Sequence, residues 1–563
     1  MSTDALWTDL HLRYPDATAA LHRHQSLYTT FAVVITATLL FNSFALRKKW
    51  WAEDELANLG TPRSSPRLDM VVICGSGVSG LMAAKMCMTH FDEVVLIDPE
   101  FNKVLTGKSK SRVMQLRSVH AYLVLFKRAV TALFPSFEEK LIEVGGRTMN
   151  ADFMPHFDGI YRPFDNTGYP KTFALRRHLL EPLLHRLLAA DAESAFSDKS
   201  VGKLRVVQGT VKNVERGGSR INAVVGKGTD GKEFRIEGCD LVIDSSGGSQ
   251  QGGEWLPALG FADPLPTRLV YNPHVRYMTI TFPVSPELGA TFPIPGGWEK
   301  SDFMYTLVAQ PKIEHRGFLM AKMDNSTMQL CCSSWGPGDL PKNVEELVPH
   351  VESLRSTVPL PQWLKDTTCI LATSAGDEAE FNFAKIPEMS NMQYHLHKDI
   401  PDNFVAVGDA AMRLNPIFGQ GCAKATANVM QLDSMLRKTS RAEGIKAGFS
   451  GRYFKETQSR LGDMWEGTKA VDYGFLSTTT IKGETRDVGK PFRVIMELFG
   501  HFSEADPEIS LLEWRVRHFL LPPTALFAPS TLARAAFFTA VYQSKRLLGT
   551  ARPPQAVENC VRV

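Results

Sequence analysis

Two glycine-rich stretches, far apart in the chain, hold the residues whose types and spacing can do chemistry. The first, Gly75-Ser-Gly-Val-Ser-Gly80, follows the apolar run Met70-Val-Val-Ile-Cys74. Glycines so spaced suit a phosphate: Gly75 permits a tight turn, Gly77 lets the backbone approach a pyrophosphate, and Gly80 lets a helix pack on the strand. That helix, expected over Leu81 to Phe91, turns its N-terminal dipole and the Ser79 turn towards the phosphates. Glu93-Val-Val-Leu-Ile97 then reads as a second strand, and Asp98 at its end stands where an acid accepts hydrogen bonds from a ribose. The glycine spacing alone also occurs in packing turns. Strand, glycines, helix, strand and acid in this order make a dinucleotide site.

The second stretch runs from Gly408 to Gly421, GDAAMRLNPIFGQG. Asn403-Phe-Val-Ala-Val407 reads as a strand ended by Gly408-Asp409, and Gly419-Gln-Gly421 opens a helix to about Arg437. Such a helix start carries unpaired N–H groups and a partial positive charge. Placed at the pyrimidine edge of an isoalloxazine, that field stabilises the negative charge of a reduced flavin, while Asp409 could bond the ribityl chain. NAD alone needs neither. The pair therefore points to FAD, held by one domain that is discontinuous in sequence.

These elements also carry a family resemblance. GDAA, then Asn-Pro, then GQG resembles the flavin-contacting motif of the FAD-dependent monooxygenases of the para-hydroxybenzoate hydroxylase superfamily, and the resemblance spans most of residues 68 to 545. Asp240-Leu-Val-Ile-Asp-Ser-Ser-Gly-Gly248 is similar to the family's strand-plus-ATG segment, with Ser246-Gly247 at the Thr-Gly position. Phe173 to Glu181 resembles its helix start, which implies an FAD-contacting role for Arg177. The strand-like Leu204 to Val211 resembles the segment that meets the adenine, implying a contact at Val211. Arg112-Val-Met-Gln-Leu-Arg-Ser-Val-His120 is similar to a GxPQGxHxH element, which implies that Arg112, Gln115 and His120 lie near the flavin. Asn415-Pro-Ile-Phe418 is implied to lie against the flavin face at Pro416.

The chain also departs from the pattern. Asp98 replaces the commoner Glu, and Met412 replaces the His of GDAAH. Met114 and Leu116 replace the Pro and Gly of the PQG element, and Gly248-Ser249-Gln250 lacks an arginine often found there. The resemblance implies an α/β fold, a three-layer Rossmann-like FAD domain with an inserted antiparallel-sheet substrate domain; the N-terminal run adds the expectation of a transmembrane helix. No second GxGxxG segment provides a nicotinamide domain, which matches relatives where NADPH or NADH binds transiently at a domain interface. By the same resemblance, a flavin C4a-hydroperoxide donates one oxygen atom. No side-chain acid or base is assigned, since the cofactor carries the chemistry. His120, His178, His395 and His397 are candidates only by type.

The chain divides into an N-terminal segment (1–28), an anchor (29–46), a linker (47–67), a first FAD-domain segment (68–255), a substrate domain (256–394), a second FAD-domain segment (395–445) and a C-terminal helical region (446–563). Residues 29 to 46 hold no charge and as a helix span about 27 Å, enough for a thin bilayer. Arg47, Lys48, Lys49, Trp50 and Trp51 follow, so the expectation is a single-pass anchor in the endoplasmic reticulum with the enzyme in the cytosol. Within 256 to 394, Val275 to Phe282 and Gly317 to Met323 alternate apolar and polar residues, as in an antiparallel sheet roofing the flavin. The Phe, Met and Trp content there argues for a hydrophobic substrate such as a polyketide or terpenoid, hydroxylated or epoxidised. Asn343 to Ser356, interrupted by Pro349, reads as helix-like. In the C-terminal region, His518 to Pro529 and a helix-like Leu532 to Leu548 lie either on the membrane surface or on the FAD domain.

The 563 residues hold 63 Lys and Arg against 60 Asp and Glu, a formal charge of +3 that leaves no basic excess for nucleic acid. Eight cysteines without CxxC spacing fit reduced thiols in a cytosol-facing domain. The expected partners are a hydrophobic small-molecule substrate and a membrane, with other pathway enzymes as further candidates. Two alternatives share the fold: a prenyl-chain reductase similar to geranylgeranyl reductases, and a non-catalytic binding protein of the GDP-dissociation-inhibitor kind. Flavin halogenases share it too, but their WxWxIP signature is missing, Phe292-Pro-Ile-Pro-Gly-Gly-Trp298 being a different arrangement.

Overall fold

Apolar β-branched runs that must be covered on both faces set the centre of the molecule. The computed structural model describes residues 53–110, 115–161, 170–195, 200–261, 268–532 and 534. The expected anchor 29–46, Arg112 and nearly all of Leu532 to Leu548 fall outside them. Among the described residues no helix is long and apolar enough to cross a membrane.

Five strands form a wholly parallel sheet in the order Phe404–Ala406, Leu241–Asp244, Leu68–Cys74, Phe91–Ile97, Lys203–Val207. Val71 stands between Leu241 and Val94, and Ile73 between Ile243 and Leu96. Both valine and isoleucine are fully buried, as a sheet covered on both faces requires. The outer strand Phe404–Ala406 arrives from the far end of the sequence, so the domain is discontinuous. Helix Val78–Cys87 packs on the first two strands in sequence and against helix Gly421–Arg437.

Two element boundaries differ from expectation. The first helix begins at Val78 because Gly77, extended at ψ 179°, serves as its N-cap. It stops at Cys87, and the turn Met88 to His90 closes by backbone bonds that free Phe91 to open the next strand, fully buried. Leu204 to Val211 divides into two strands: Lys203–Val207 edges the parallel sheet, whereas Gly209–Gly217 starts an antiparallel meander with Arg220–Gly228 and Glu233–Glu237. A Cβ at Gly209 would sit 2.7 Å from the Phe234 ring, so only glycine lets the chain change sheets there. The meander adds Val214, Ile221, Val224 and Ile236 to the core of the parallel sheet.

A second, seven-stranded sheet runs in the order Glu380–Lys385, Val275–Pro283, Thr327–Trp335, Arg316–Lys322, Phe303–Val308, Pro155–Phe157, Ile160–Tyr161. It is antiparallel except where Phe303–Val308 pairs with Pro155–Phe157. Its last two strands come from before residue 256. All nine residues of Thr327–Trp335 are buried, so this central strand is covered on both faces. Helices Leu347–Glu352 and Gln362–Ser374 share its core through Phe282, Leu330, Leu347 and Leu364. The first of these is shorter than the expected Asn343 to Ser356. It tolerates Pro349 because that residue sits in the first turn, where the missing N–H has no helical partner.

The C-terminal helices Phe449–Asp472, Lys490–Ala505 and Pro507–Arg517 fold back over the body. The Trp514 indole N–H donates to the Ala151 carbonyl at 3.0 Å, and the Val124 N–H donates to His518 Nδ1 at 3.1 Å. The described cysteines are all free.

Candidate functional site

Two glycines of the first motif are required by packing and one by open space. Gly75 has φ +113°, and a Cβ there would lie 2.6 Å from the Ser245 carbonyl. At Gly80 it would lie 1.9 Å from the Gly75 carbonyl oxygen. At Gly77 no protein atom comes within 4 Å. No side chain caps the helix that starts at Val78, so its amide end is left for an anion.

The second motif closes on the first. Gly408, at φ +65°, packs so tightly that a Cβ would lie 2.7 Å from Ser79 Oγ. Its N–H donates to Asn428 Oδ1 at 2.9 Å, a group on the Gly421–Arg437 helix. The turn Pro416–Phe418 is capped by Asn415, whose Oδ1 accepts from the Ile417 N–H at 3.2 Å. Gly247 and Gly421, like Gly77, have nothing within 4 Å of a Cβ position.

A cavity of about 2890 Å³ joins these elements. Gly75, Gly77, Ser79, Asp98, Gln115, Arg177, Val211, Gly247, Asp409, Pro416, Gly419 and Gly421 all line it. Gly80 lies behind the wall as a packing residue, and Arg112 lies outside the described residues.

The charges along this wall are already partnered. Asp98 Oδ1 accepts from the Glu100 N–H at 2.8 Å, while Oδ2 accepts from the Ser76 N–H at 2.8 Å and from Lys110 Nζ at 3.0 Å. Burial raises its pKa, but Lys110 and the two N–H groups outweigh burial and hold the carboxyl below its usual range. The expected ribose ligand is thus an acid with three positions filled. A carboxylate offers about four, so a hydroxyl takes the remaining one or competes with Lys110.

Arg177 opens helix Arg177–Ser194, and its Nε donates to Glu181 Oε1 at 2.7 Å. The other Glu181 oxygen is buried without a protein partner, in a side chain that lines the cavity. Burial raises Glu181, yet Arg177 beside it brings the carboxyl below the usual range. One turn on, His185 is pushed down to about 4 by burial and then by Lys110. It is therefore neutral: Nδ1 donates to the Glu181 carbonyl at 2.7 Å and Nε2 accepts from the Ser76 hydroxyl at 3.1 Å.

Asp409 is half exposed to the cavity, and Lys424 Nζ donates to its Oδ1 at 2.5 Å. Burial raises this carboxyl, and Lys424 brings it below its usual range. One oxygen is thus occupied and the other remains for a ligand hydroxyl. Arg413, on the short strand Met412–Arg413, donates to the Gly248 carbonyl at 2.5 Å. It brings a guanidinium to the segment where the sequence lacks one.

Of the histidines named by type, only His120 lines the cavity. Burial and the Arg177 charge push it down to about 4, and its Nδ1 donates to the Ser118 carbonyl at 2.8 Å. Lys110, Glu181, His185 and Lys424 escaped sequence reasoning because each lies in a loop or a helix outside the glycine motifs, and Arg413, within the second motif, because nothing in the spacing there shows that it turns towards Gly248. The residues present fit FAD. Open backbone at Gly77, Gly247 and Gly421, two uncapped helix ends, the cations Lys110 and Arg177, and a free Asp409 oxygen match a diphosphate, a ribityl chain and an anionic ring.

Beyond the cradle the same cavity turns apolar. Phe153, Phe303, Phe318, Trp335, Phe475 and Met496 line it, so the seven-stranded sheet forms one wall and the C-terminal helices another. Phe292 and Trp298 do not line it but pack edge to face at 5.8 Å in the sheet's separate core.

Fold and site together define a class: a parallel-sheet dinucleotide cradle closed over a second sheet, a fold shared with solved flavin-dependent proteins. No family model matches the chain. Protein Rv3254 of Mycobacterium tuberculosis is 22% identical over 482 residues, covering 82% of this chain and 91% of that protein. Among solved structures, the flavin-dependent brominase Bmp2 superposes with a TM-score of 0.52 at 15% identity, covering 86% of this chain and all of that one. A flavoprotein/dehydrogenase from Cytophaga hutchinsonii gives 0.53 at 12% identity, covering 85% of this chain and 100% of that one. These likenesses are likenesses of fold.

Proposed function

We propose that this protein is an FAD-dependent monooxygenase that hydroxylates or epoxidises a hydrophobic small molecule. The observation that carries the reading is the single cavity running from a complete dinucleotide cradle into an apolar chamber. Its volume is about three times the upper end for a single drug-sized ligand, which leaves room for a bulky substrate beside the cofactor. When bound, the flavin supplies the redox chemistry. The chain's own residues hold and shield it. Gly77 and the helix at Val78 receive the diphosphate, Arg177 adds a cation, and the free Asp409 oxygen accepts a hydrogen bond from a hydroxyl. The uncapped start of Gly421–Arg437 stabilises negative charge on the ring. His120 stays neutral at physiological pH with its Nδ1–H held by the Ser118 carbonyl, so its Nε2 can only accept a hydrogen bond there. The aromatic wall excludes water.

NADPH or NADH is the reductant in this reading, polyketides and terpenoids are the favoured substrate classes, and residues 29–46 anchor the protein in the endoplasmic reticulum membrane with the cavity on the cytosolic side. Other enzymes of the same pathway are candidate neighbours. The deciding experiment supplies purified protein, NADPH and a lipophilic substrate under ¹⁸O₂. Labelled product supports oxygenation, whereas a reduced, unlabelled product replaces it with the prenyl-reductase chemistry. Protein that never takes up flavin points instead to a non-catalytic binding protein.

A further inference from the structure

A fully buried carboxylate, Asp472, lies just behind the cavity wall, where four segments of the chain meet. It ends the helix Phe449–Asp472 and is wholly inaccessible to solvent. Its Oδ1 accepts from the Asn415 side-chain amide at 2.8 Å and from the Trp335 indole N–H at 2.8 Å. Its Oδ2 accepts from the Tyr271 hydroxyl at 2.9 Å. All three partners are uncharged donors, and all three are buried.

Each partner belongs to a different piece of the site. Asn415 caps the Pro416–Phe418 turn, which lines the cradle. Trp335 ends the central strand of the seven-stranded sheet, lines the apolar chamber and stacks on Phe475 at 4.5 Å and 11°. Tyr271 ends the strand Arg268–Tyr271, which belongs to the small sheet carrying Met412–Arg413. One carboxylate therefore joins the cofactor turn to the wall of the chamber. A buried acid without a cationic partner is costly for a fold to keep, and burial pushes this one up to about 6. A neutral side chain of the same shape would hold the elements together at less cost, so the charge itself calls for a role.

We propose that Asp472 is a positioning residue that, through Asn415 and Trp335, sets the Pro416–Phe418 turn against the flavin and ties that turn to the substrate wall. The proposal rests on the flavin reading above. The geometry makes the substitutions informative. In Asp472→Asn the amide oxygen can still accept from Trp335 and Asn415, and its NH₂ can donate to the Tyr271 oxygen, so the contacts persist without the charge. In Asp472→Ala three donors lose their acceptor at once.

The test uses the full-length protein in detergent, titrated with FAD and followed by the visible absorption of the bound flavin. Asp433→Asn serves as the control: Asp433 is an equally buried carboxylate, hydrogen-bonded to His90 and Arg437 away from the cavity. Asp472→Ala and Asn415→Ala are expected to weaken FAD binding about tenfold or more and to shift the flavin band. Asp472→Asn should largely restore affinity while leaving the band and the reduction potential altered. Asp433→Asn should lower thermal stability and leave the spectrum untouched. If the wild type binds flavin but the Asp472 and Asn415 variants keep its spectrum, potential and affinity, or change them no more than Asp433→Asn does, the proposal is overturned and the flavin reading stands. If the wild type binds no flavin, both fall.

Discussion

The cofactor cradle and the chamber beside it solve opposite packing problems. In the cradle the missing side chain does the work: Gly77, Gly247 and Gly421 leave space, while Gly75 and Gly80 let backbones touch. In the chamber bulk does the work, with aromatic rings from a sheet and from late helices facing the same void. A backbone-lined site accepts one kind of ligand because the amide geometry is fixed, whereas an apolar wall accepts any molecule of the right volume. The cradle therefore names its cofactor and the chamber names only a solubility class.

The sharpest break of that contrast lies within one motif. Gly80→Ala forces a Cβ onto the Gly75 carbonyl and is expected to cost about 3 kcal/mol or more, seen as a large drop in melting temperature or as insoluble protein. A Cβ at Gly77 meets no protein atom within 4 Å, so Gly77→Ala should leave the melting temperature nearly unchanged while weakening FAD binding roughly 100-fold, about 2.7 kcal/mol. Equal melting temperatures for the two variants would show that Gly80 is not a packing glycine.

Acid pH acts on both regions through their histidines. His185 and His120 on the cradle side, His156 and His350 in and beside the seven-stranded sheet, and His518 behind the C-terminal wall are all pushed down by burial, to about 4 or, for His518, about 3. A lowered folded pKa means that the unfolded chain binds more protons, so stability should fall as pH drops from about 6.5 towards 4. Asp472 works in the opposite sense. Its folded pKa of about 6 lies above its ordinary value, so the native state binds the extra proton and gains stability as pH falls from about 6 to 4. Asp472→Asn should therefore make acid loss steeper, measured by urea unfolding between pH 4 and 7. A shallower profile would mean that this carboxylate is already ionised across the range.

A smaller effect marks the chamber. Phe492 lies on helix Lys490–Ala505 and lines the chamber, so Phe492→Ala should weaken binding of the fluorescent lipophile cis-parinaric acid by roughly tenfold while FAD titrates as in the wild type. Loss of FAD binding instead would mean that the wall and the cradle are not separable. The smallest effect belongs to Lys312 and Glu497, an exposed pair at 2.9 Å bridging the sheet and the C-terminal wall. Lys312→Ala should change stability by about 0.5 kcal/mol or less.

What could be read from the chain follows the same division. The strand ending at Cys74 and the helix start at Gly421 were legible because backbone demands leave fixed residue types at fixed spacings. Residues such as Lys110, Lys424 and Glu181 were not, since a charged residue in a helix or loop ordinarily faces water. Only the fold reveals that these three are buried against Asp98, Asp409 and Arg177. Alternation marked Val275 to Phe282 as a strand, although six of its residues in succession are buried, but not Thr327–Trp335, whose sequence TMQLCCSSW does not alternate.

The sequence by itself determined the parallel nucleotide-binding unit and its two glycine contacts, because local turn and packing constraints act over a few residues. Tertiary structure alone decided that Pro155–Phe157 joins the second sheet, that the C-terminal helices wall the chamber, and that Asp472 meets Asn415, Trp335 and Tyr271. Those pairings arise from chain closure over long separations, where no short spacing records which surfaces must be covered together.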